Sequence, residues 1–107
     1  MTQQKKTRRE LLQQFLAKNP NDAFTLYGLA LECVNAGDFS AAESHFRALL
    51  QSNPDYVPAY QMYAQNLAQH NRPDEAKAIL AQGIRAATRN NNQHALSEME
   101  SLLSELG

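Results

Sequence analysis

The sequence predicts an all-α protein, a stack of helical hairpins with about six antiparallel helices. Apolar residues recur at intervals of three and four along most of the 107-residue chain, which is the spacing of amphipathic helices. Turn-forming pairs such as Gly37-Asp38 and Asn53-Pro54 separate these segments. Several positions also repeat after 34 residues, as Pro54 does after Pro20. A period of 34 with two helices per unit indicates a stacked helical array.

Composition limits the class of protein. Hydrophobic residues make up 43% of the chain and charged residues 20%, which is ordinary for a folded protein. From the length of the chain we expect residues 1–107 to form a single domain. A net charge of −1 gives no general attraction for nucleic acid, so we do not expect nucleic-acid binding. The sequence lacks an apolar run long enough for a membrane span. The single cysteine, Cys33, favours a reducing, cytoplasmic setting, and a secreted protein without disulfides is the alternative.

The first predicted helix covers residues 2–18. It starts with a basic segment, Lys5 to Arg9, and ends before Asn19-Pro20, because the residue preceding a proline is pushed out of the α region. Four apolar residues have helical spacing within it: Leu11, Leu12, Phe15 and Leu16. We interpret the basic start as a solvated end of the helix, and contact with RNA or an acidic partner is the alternative.

The first repeat, residues 23–56, contains the next two helices. Asp22 can cap the first of them, and Gly37 can end it through a left-handed residue. Either Asp38 or Ser40 can cap the second helix, and Ser40 has Glu43 three residues later, as in a capping box. The connecting loop is very short, so we expect the two helices to pack as an antiparallel hairpin.

The second repeat covers residues 57–90, and a last helix covers residues 92–106. The segment Asn71-Arg72-Pro73 forms the turn of this repeat and supplies proline at the first helical position. The last helix carries five apolar residues on one face: Leu96, Met99, Leu102, Leu103 and Leu106. A hairpin at the end of a stack exposes its apolar face, so we expect this helix to cap that end.

The repeats resemble the tetratricopeptide repeat. The family's positions in the first repeat are filled by Leu26, Leu29, Ala30, Cys33, Ala42, Phe46 and Pro54, and the loop GDFSAA is close to the family's usual one. Leu49 stands where the family prefers alanine, and Thr88 stands where a closing proline belongs. The resemblance implies a right-handed stack with two full repeats between flanking helices. It also implies a non-enzymatic adaptor or scaffold that binds other proteins on its concave face.

No residues suggest catalysis, a metal site or a cofactor. His45, His70 and His94 fall on different predicted helices or at their ends, and none has a carboxylate or cysteine at metal-ligand spacing. We interpret all three histidines as solvent-facing. Cys33 lies at a core position, where a thiol is usually inert.

The predicted partner-binding face lies on the first helix of each repeat. In the first repeat it is a second apolar stripe, Phe24, Tyr27, Leu31 and Val34, with Asn35 beside it. One interpretation is a groove wall that receives a helix or extended peptide of a partner; the other is that the helix at 2–18 covers part of the stripe. In the second repeat the face carries Gln61, Gln65 and Gln69, which can hydrogen-bond to a peptide backbone or simply be solvated.

The partner itself is not encoded in any motif. Related modules bind acidic chaperone tails with a clamp of lysine, arginine and asparagine, but Tyr27, Leu31 and Met62 occupy clamp positions here, so we expect no such binding. We predict an unknown protein or peptide as the partner. A homo-oligomer formed through the same apolar stripe is the alternative.

Overall fold

The computed structural model describes residues 6–107, and these form six α-helices without a strand. The helices are α1 (Arg8–Lys18), α2 (Ala23–Asn35), α3 (Phe39–Ser52), α4 (Val57–Gln69), α5 (Pro73–Arg89) and α6 (Gln93–Leu106). They pack in two units, one that ends at Ser52 and one that begins at Asn53. The predicted all-α class, with hairpins of short-looped helices, is confirmed. The single domain over residues 1–107 stays a prediction.

Helix α1 begins later than the sequence predicted. Lys6 and Thr7 are not helical, and the helix begins at Arg8. The reason is a capping box: the Thr7 hydroxyl accepts the backbone N–H of Glu10 at 3.1 Å, and the Glu10 carboxylate accepts the N–H of Thr7 at 3.2 Å. These bonds satisfy donors that a helix start leaves open, and they hold Thr7 in an extended conformation. The rest of the predicted start, residues 2–5, lies outside the described residues.

The turn between α2 and α3 contains the residue that caps the start of α3. Gly37 has a positive φ of 75°, as predicted for a residue that ends a helix. The Asp38 carboxylate accepts the backbone N–H of Ala41 at 3.2 Å, so Asp38 is the cap. Ser40 lies inside the first turn of α3, and the capping box that we considered for Ser40 and Glu43 was therefore the wrong choice.

The unit formed by α1, α2 and α3 is held by one apolar core and two ion pairs. The core consists of Leu26, Leu29, Ala30 and Cys33 from α2 with Ala42, Phe46 and Leu49 from α3, all at most 2% exposed. Helix α1 lies on α2 at Gly28, where the Leu12 Cδ1 atom is 3.2 Å from the place a β-carbon would occupy. Arg8 pairs with Glu32 at 2.9 Å, and Arg9 pairs with Asp38 at 3.4 Å. These two arginines therefore connect α1 to the neighbouring hairpin, while the Arg8 side chain stays 65% exposed to solvent.

The unit formed by α4, α5 and α6 is built around Gly83. A β-carbon at this position would lie 2.5 Å from the Tyr60 Cβ atom of α4 and 2.6 Å from the Met99 Sδ atom of α6. The three helices thus approach each other more closely here than any larger residue permits. The Tyr60 hydroxyl donates to the Pro54 carbonyl at 2.7 Å and satisfies the polar end of this buried ring.

Candidate functional site

The predicted apolar stripe of α2 is only partly exposed. Phe24 is 68% exposed, whereas Tyr27, Leu31 and Val34 are half-buried. Asn35, predicted beside the stripe, is exposed at the last residue of α2.

The contacts that place α1 on α2 fall beside this stripe. Leu12 lies against Gly28, and Arg8 pairs with Glu32. Gly28 and Glu32 each follow a stripe residue by one position, so they point about 100° away from it around the helix axis. Whether the stripe binds a partner stays a prediction.

Helix α1 adds an exposed apolar pair of its own. Leu12 and Leu16 turn toward the unit and are half-buried, but Leu11 is 54% exposed and Phe15 is 50% exposed. The close approach at Gly28 fixes the rotation of α1 and thereby decides which of its apolar residues are covered. The helical spacing of these four residues could not distinguish the two pairs.

The glutamines of α4 line a groove in the second unit. Gln61 and Gln65 face α6, and the groove between the two helices has a volume of about 360 Å³. The side chains of α6 that line it are His94, Ser97, Glu98, Ser101, Leu102 and Glu105. Gln69, predicted together with the other glutamines, is exposed at the last residue of α4 and does not line this groove within the described chain.

One hydrogen bond connects α4 and α6 across the groove and fixes the position of a carboxylate there. The Gln61 Nε2 atom donates to Glu98 Oε2 at 2.9 Å. The other oxygen of the same carboxylate pairs with His94 Nε2, so Glu98 is held from both sides. Gln65 and Ser101 add groups that can both donate and accept hydrogen bonds, and Leu102 adds apolar surface.

The contribution of α6 was missed in the sequence, although a signal was present. His94, Glu98, Ser101 and Glu105 are separated by four, three and four residues, which puts them on one face of a helix. The apolar residues of α6 were interpreted instead, as the surface that caps the stack.

The histidines and the cysteine give no catalytic arrangement. His45 is half-buried on α3, which corrects the solvent-facing interpretation, and burial together with the nearby Arg9 charge lowers its pKa. His70 Nδ1 lies 2.8 Å from the Asn66 carbonyl oxygen. Cys33 is buried, and burial raises the pKa of its thiol. Within residues 6–107, no cluster of three histidine, cysteine or acidic residues is placed to hold a metal ion.

Known proteins share this fold. A family model of the tetratricopeptide repeat matches residues 34–99. A tetratricopeptide repeat domain protein from Salinibacter ruber is 33% identical in its solution NMR structure, with a TM-score of 0.77 over 81% of this chain and 88% of that chain. A crystal structure of a tetratricopeptide repeat domain protein from Salinibacter ruber is also 33% identical. Its TM-score is 0.74, over 79% of this chain and 94% of that chain.

A more distant structure supports the fold alone. The solution structure of a protein from Bordetella parapertussis has a TM-score of 0.81 over 95% of this chain and 89% of that chain, at 24% identity. No curated protein sequence matches this chain.

The helical hairpins define the class of protein, which is a helical-repeat protein. The chain belongs to the tetratricopeptide repeat family, as the match over residues 34–99 and the Salinibacter ruber structures show. Proteins of this family are generally non-enzymatic interaction scaffolds. In the part of the chain that the structure describes, each helix is too short or too polar to cross a bilayer.

Proposed function

We propose that this protein is a non-enzymatic adaptor that holds a peptide or helix of a partner protein on the exposed faces of α2 and α4. The residues that would contact the partner are Phe24, Tyr27, Leu31, Val34 and Asn35 on α2, with Gln61, Gln65 and Gln69 on α4. One observation carries the proposal: Gln61 and Gln65 line an open groove with α6. The proposal keeps the cytoplasmic setting predicted from the single cysteine.

The two faces offer complementary kinds of contact. Phe24 is the most exposed large apolar side chain on α2, and aromatic anchors supply much of the binding energy of protein interfaces. The amides of Gln61 and Gln65 can bond to the backbone of an extended segment, which sets its register. The half-buried Tyr27, Leu31 and Val34 would contribute only their outer edges.

Affinity capture with matched variants tests the proposal. The wild type, Phe24→Ala and the double variant Gln61→Ala with Gln65→Ala are immobilised and exposed to a lysate of the native cell. Gln82→Ala is the control, because Gln82 is an exposed glutamine of α5 outside the groove. We expect the same bound protein with wild type and control and its loss with both site variants. Full recovery of that protein by both site variants would refute the proposed face.

Self-association is a second candidate, supported by the apolar exposure of the first unit. Leu11, Phe15 and Phe24 are 54%, 50% and 68% exposed. Sedimentation velocity over a range of micromolar concentrations measures it directly. A concentration-dependent dimer that Phe24→Ala abolishes would support pairing through the stripe, and a strict monomer would exclude it.

A further inference from the structure

We infer that the groove between α4 and α6 takes a basic segment of the partner, an extended stretch that carries lysine or arginine side chains. The inference rests on the proposed function and adds the chemistry of what enters the groove. Three features of the second unit support it: the charge of the two helices, the polar groups of the groove and the spacing of its carboxylates.

The permanent charges of the groove are acidic, since His94, which also lines the groove and pairs with Glu98, adds a positive charge only when it is protonated. Helix α4 carries no aspartate, glutamate, lysine or arginine, and α6 carries Glu98, Glu100 and Glu105 without a lysine or arginine. Glu98 and Glu105 line the groove, while Glu100 does not. An acidic segment would therefore meet two like charges, and a basic segment would meet two opposite ones.

The remaining groups of the groove suit a long cationic side chain. Leu102 supplies apolar surface for the methylene stem of a lysine or arginine, whose charged end can then reach a carboxylate. Gln61 fixes Glu98 through the 2.9 Å hydrogen bond, so this carboxylate is already oriented. The Glu105 carboxylate has neither a hydrogen bond nor an ion pair within residues 6–107, so it is open to a cation.

The spacing of the carboxylates indicates the spacing of the basic residues. Glu98 and Glu105 are seven positions apart, which is about 10 Å along the axis of a helix. An extended segment in the polyproline II conformation advances about 3.1 Å per residue and has three residues per turn. Two basic residues three positions apart therefore lie on one face of such a segment, about 9 Å apart, and would reach both carboxylates at once.

Solution NMR with three short probe peptides tests the inference. Each is an acetylated and amidated peptide of eight residues that differs only at its third and sixth positions, which are both lysine, both glutamine or both glutamate. The side-chain amide signals of Gln61 and Gln65 report on the groove, as do the backbone amides from His94 to Glu105. We expect the lysine peptide to shift these signals in low salt, the glutamine peptide to shift them less and the glutamate peptide to leave them unchanged.

Substitutions identify the carboxylates. In Glu98→Gln and in Glu105→Gln we expect the lysine peptide to bind about twofold to fivefold more weakly, the range for an exposed ion pair. Glu100→Gln is the control, since it removes the same charge from α6 outside the groove, and we expect wild-type affinity. Added salt should weaken binding of the lysine peptide, because exposed charges are screened.

The outcomes separate this inference from the proposed function. If the glutamine or glutamate peptide shifts the groove signals as much as the lysine peptide, the groove binds peptides and its preference for basic segments is refuted. Equal weakening by Glu100→Gln would also refute the role of the groove carboxylates. If the groove signals respond to none of the peptides, the inference fails together with the part of the proposed function that rests on Gln61 and Gln65.

Discussion

Replacing Gly83 by alanine is expected to destabilise the protein at the point where α4, α5 and α6 meet. The added β-carbon would lie 2.5 Å from Tyr60 Cβ and 2.6 Å from Met99 Sδ, and atoms at these distances must move apart. The Met99 side chain can rotate, but Tyr60 Cβ is bonded to the backbone of α4, so the helix itself must shift. Overpacking of this kind costs about 1–3 kcal/mol, and here the upper part of that range applies.

Helix propensity opposes the clash but does not cancel it. Inside a helix, alanine is about 1 kcal/mol more favourable than glycine in the free energy of helix formation. The free energy of unfolding should therefore fall by about 2 kcal/mol in total. In a protein of this size that loss lowers the melting temperature by about 8 °C, which circular dichroism can follow. Gly28→Ala is the control: its β-carbon would meet the flexible ends of Leu12, at 3.2 Å, and of Arg8, at 3.9 Å, so the melting temperature should stay the same or rise.

A double-mutant cycle with Met99 checks the cause. Met99→Ala removes a fully buried side chain and is itself destabilising by about 2–5 kcal/mol. It should cost about 1 kcal/mol less in the Gly83→Ala protein, because the alanine methyl group then occupies part of the space. A Gly83→Ala protein that melts at or above the wild-type temperature would refute the close approach of the three helices.

Three further predictions concern single side chains. Tyr60→Phe should lower stability by about 0.5–1.5 kcal/mol in urea unfolding, because the Pro54 carbonyl loses its 2.7 Å hydrogen bond; unchanged stability would show that water replaces the hydroxyl. The Thr25 hydroxyl and backbone N–H donate to the Asp22 carboxylate and lower its pKa. The ionised carboxylate therefore stabilises the folded protein at pH values above the pKa of Asp22 in the unfolded chain. This stabilisation is lost as the pH falls through the pKa of Asp22 in the folded protein. The difference in melting temperature between wild type and Asp22→Ala should therefore be constant near neutral pH and narrow below about pH 4, and a difference that widens on acidification would contradict this. Cys33 should react with a thiol reagent only when the protein unfolds, since it is buried and its pKa is raised; rapid labelling of the native protein would place it at the surface.

The hairpins could be predicted because local signals and the 34-residue period agree. Gly37 takes a left-handed conformation after α2, and Asn71, 34 positions later, does the same after α4 with a φ of 61°. The start of α1 could not be predicted in this way, because the polar residues before Arg8 suit a helix as well as a cap. There the hydrogen bonds between Thr7 and Glu10 determine where the helix begins.

The candidate site was predictable only on the helices of the hairpins. The face of α4 that carries Gln61 and Gln65 follows from helical spacing, which needs no knowledge of the neighbours. Which face of α6 lines the groove depends on how α6 packs against α4. Helix α5 separates these two helices in the chain, and no spacing of residues in the sequence gives the angle between them. The same holds for the exposure of Leu11 and Phe15, which the approach of α1 to Gly28 determines.

The groove lies between two helices that are not neighbours in the chain. Binding of a segment in the groove is therefore linked to the detachment of α6 from the rest of its unit. The groove exists only while α6 is docked on α4 and α5. Any segment that binds in the groove between α4 and α6 therefore favours the docked state of α6 and disfavours detachment of this helix, by mass action. Amide hydrogen exchange in α6 should slow when the groove is occupied, so the exchange rate would report occupancy even for a partner that has not been identified.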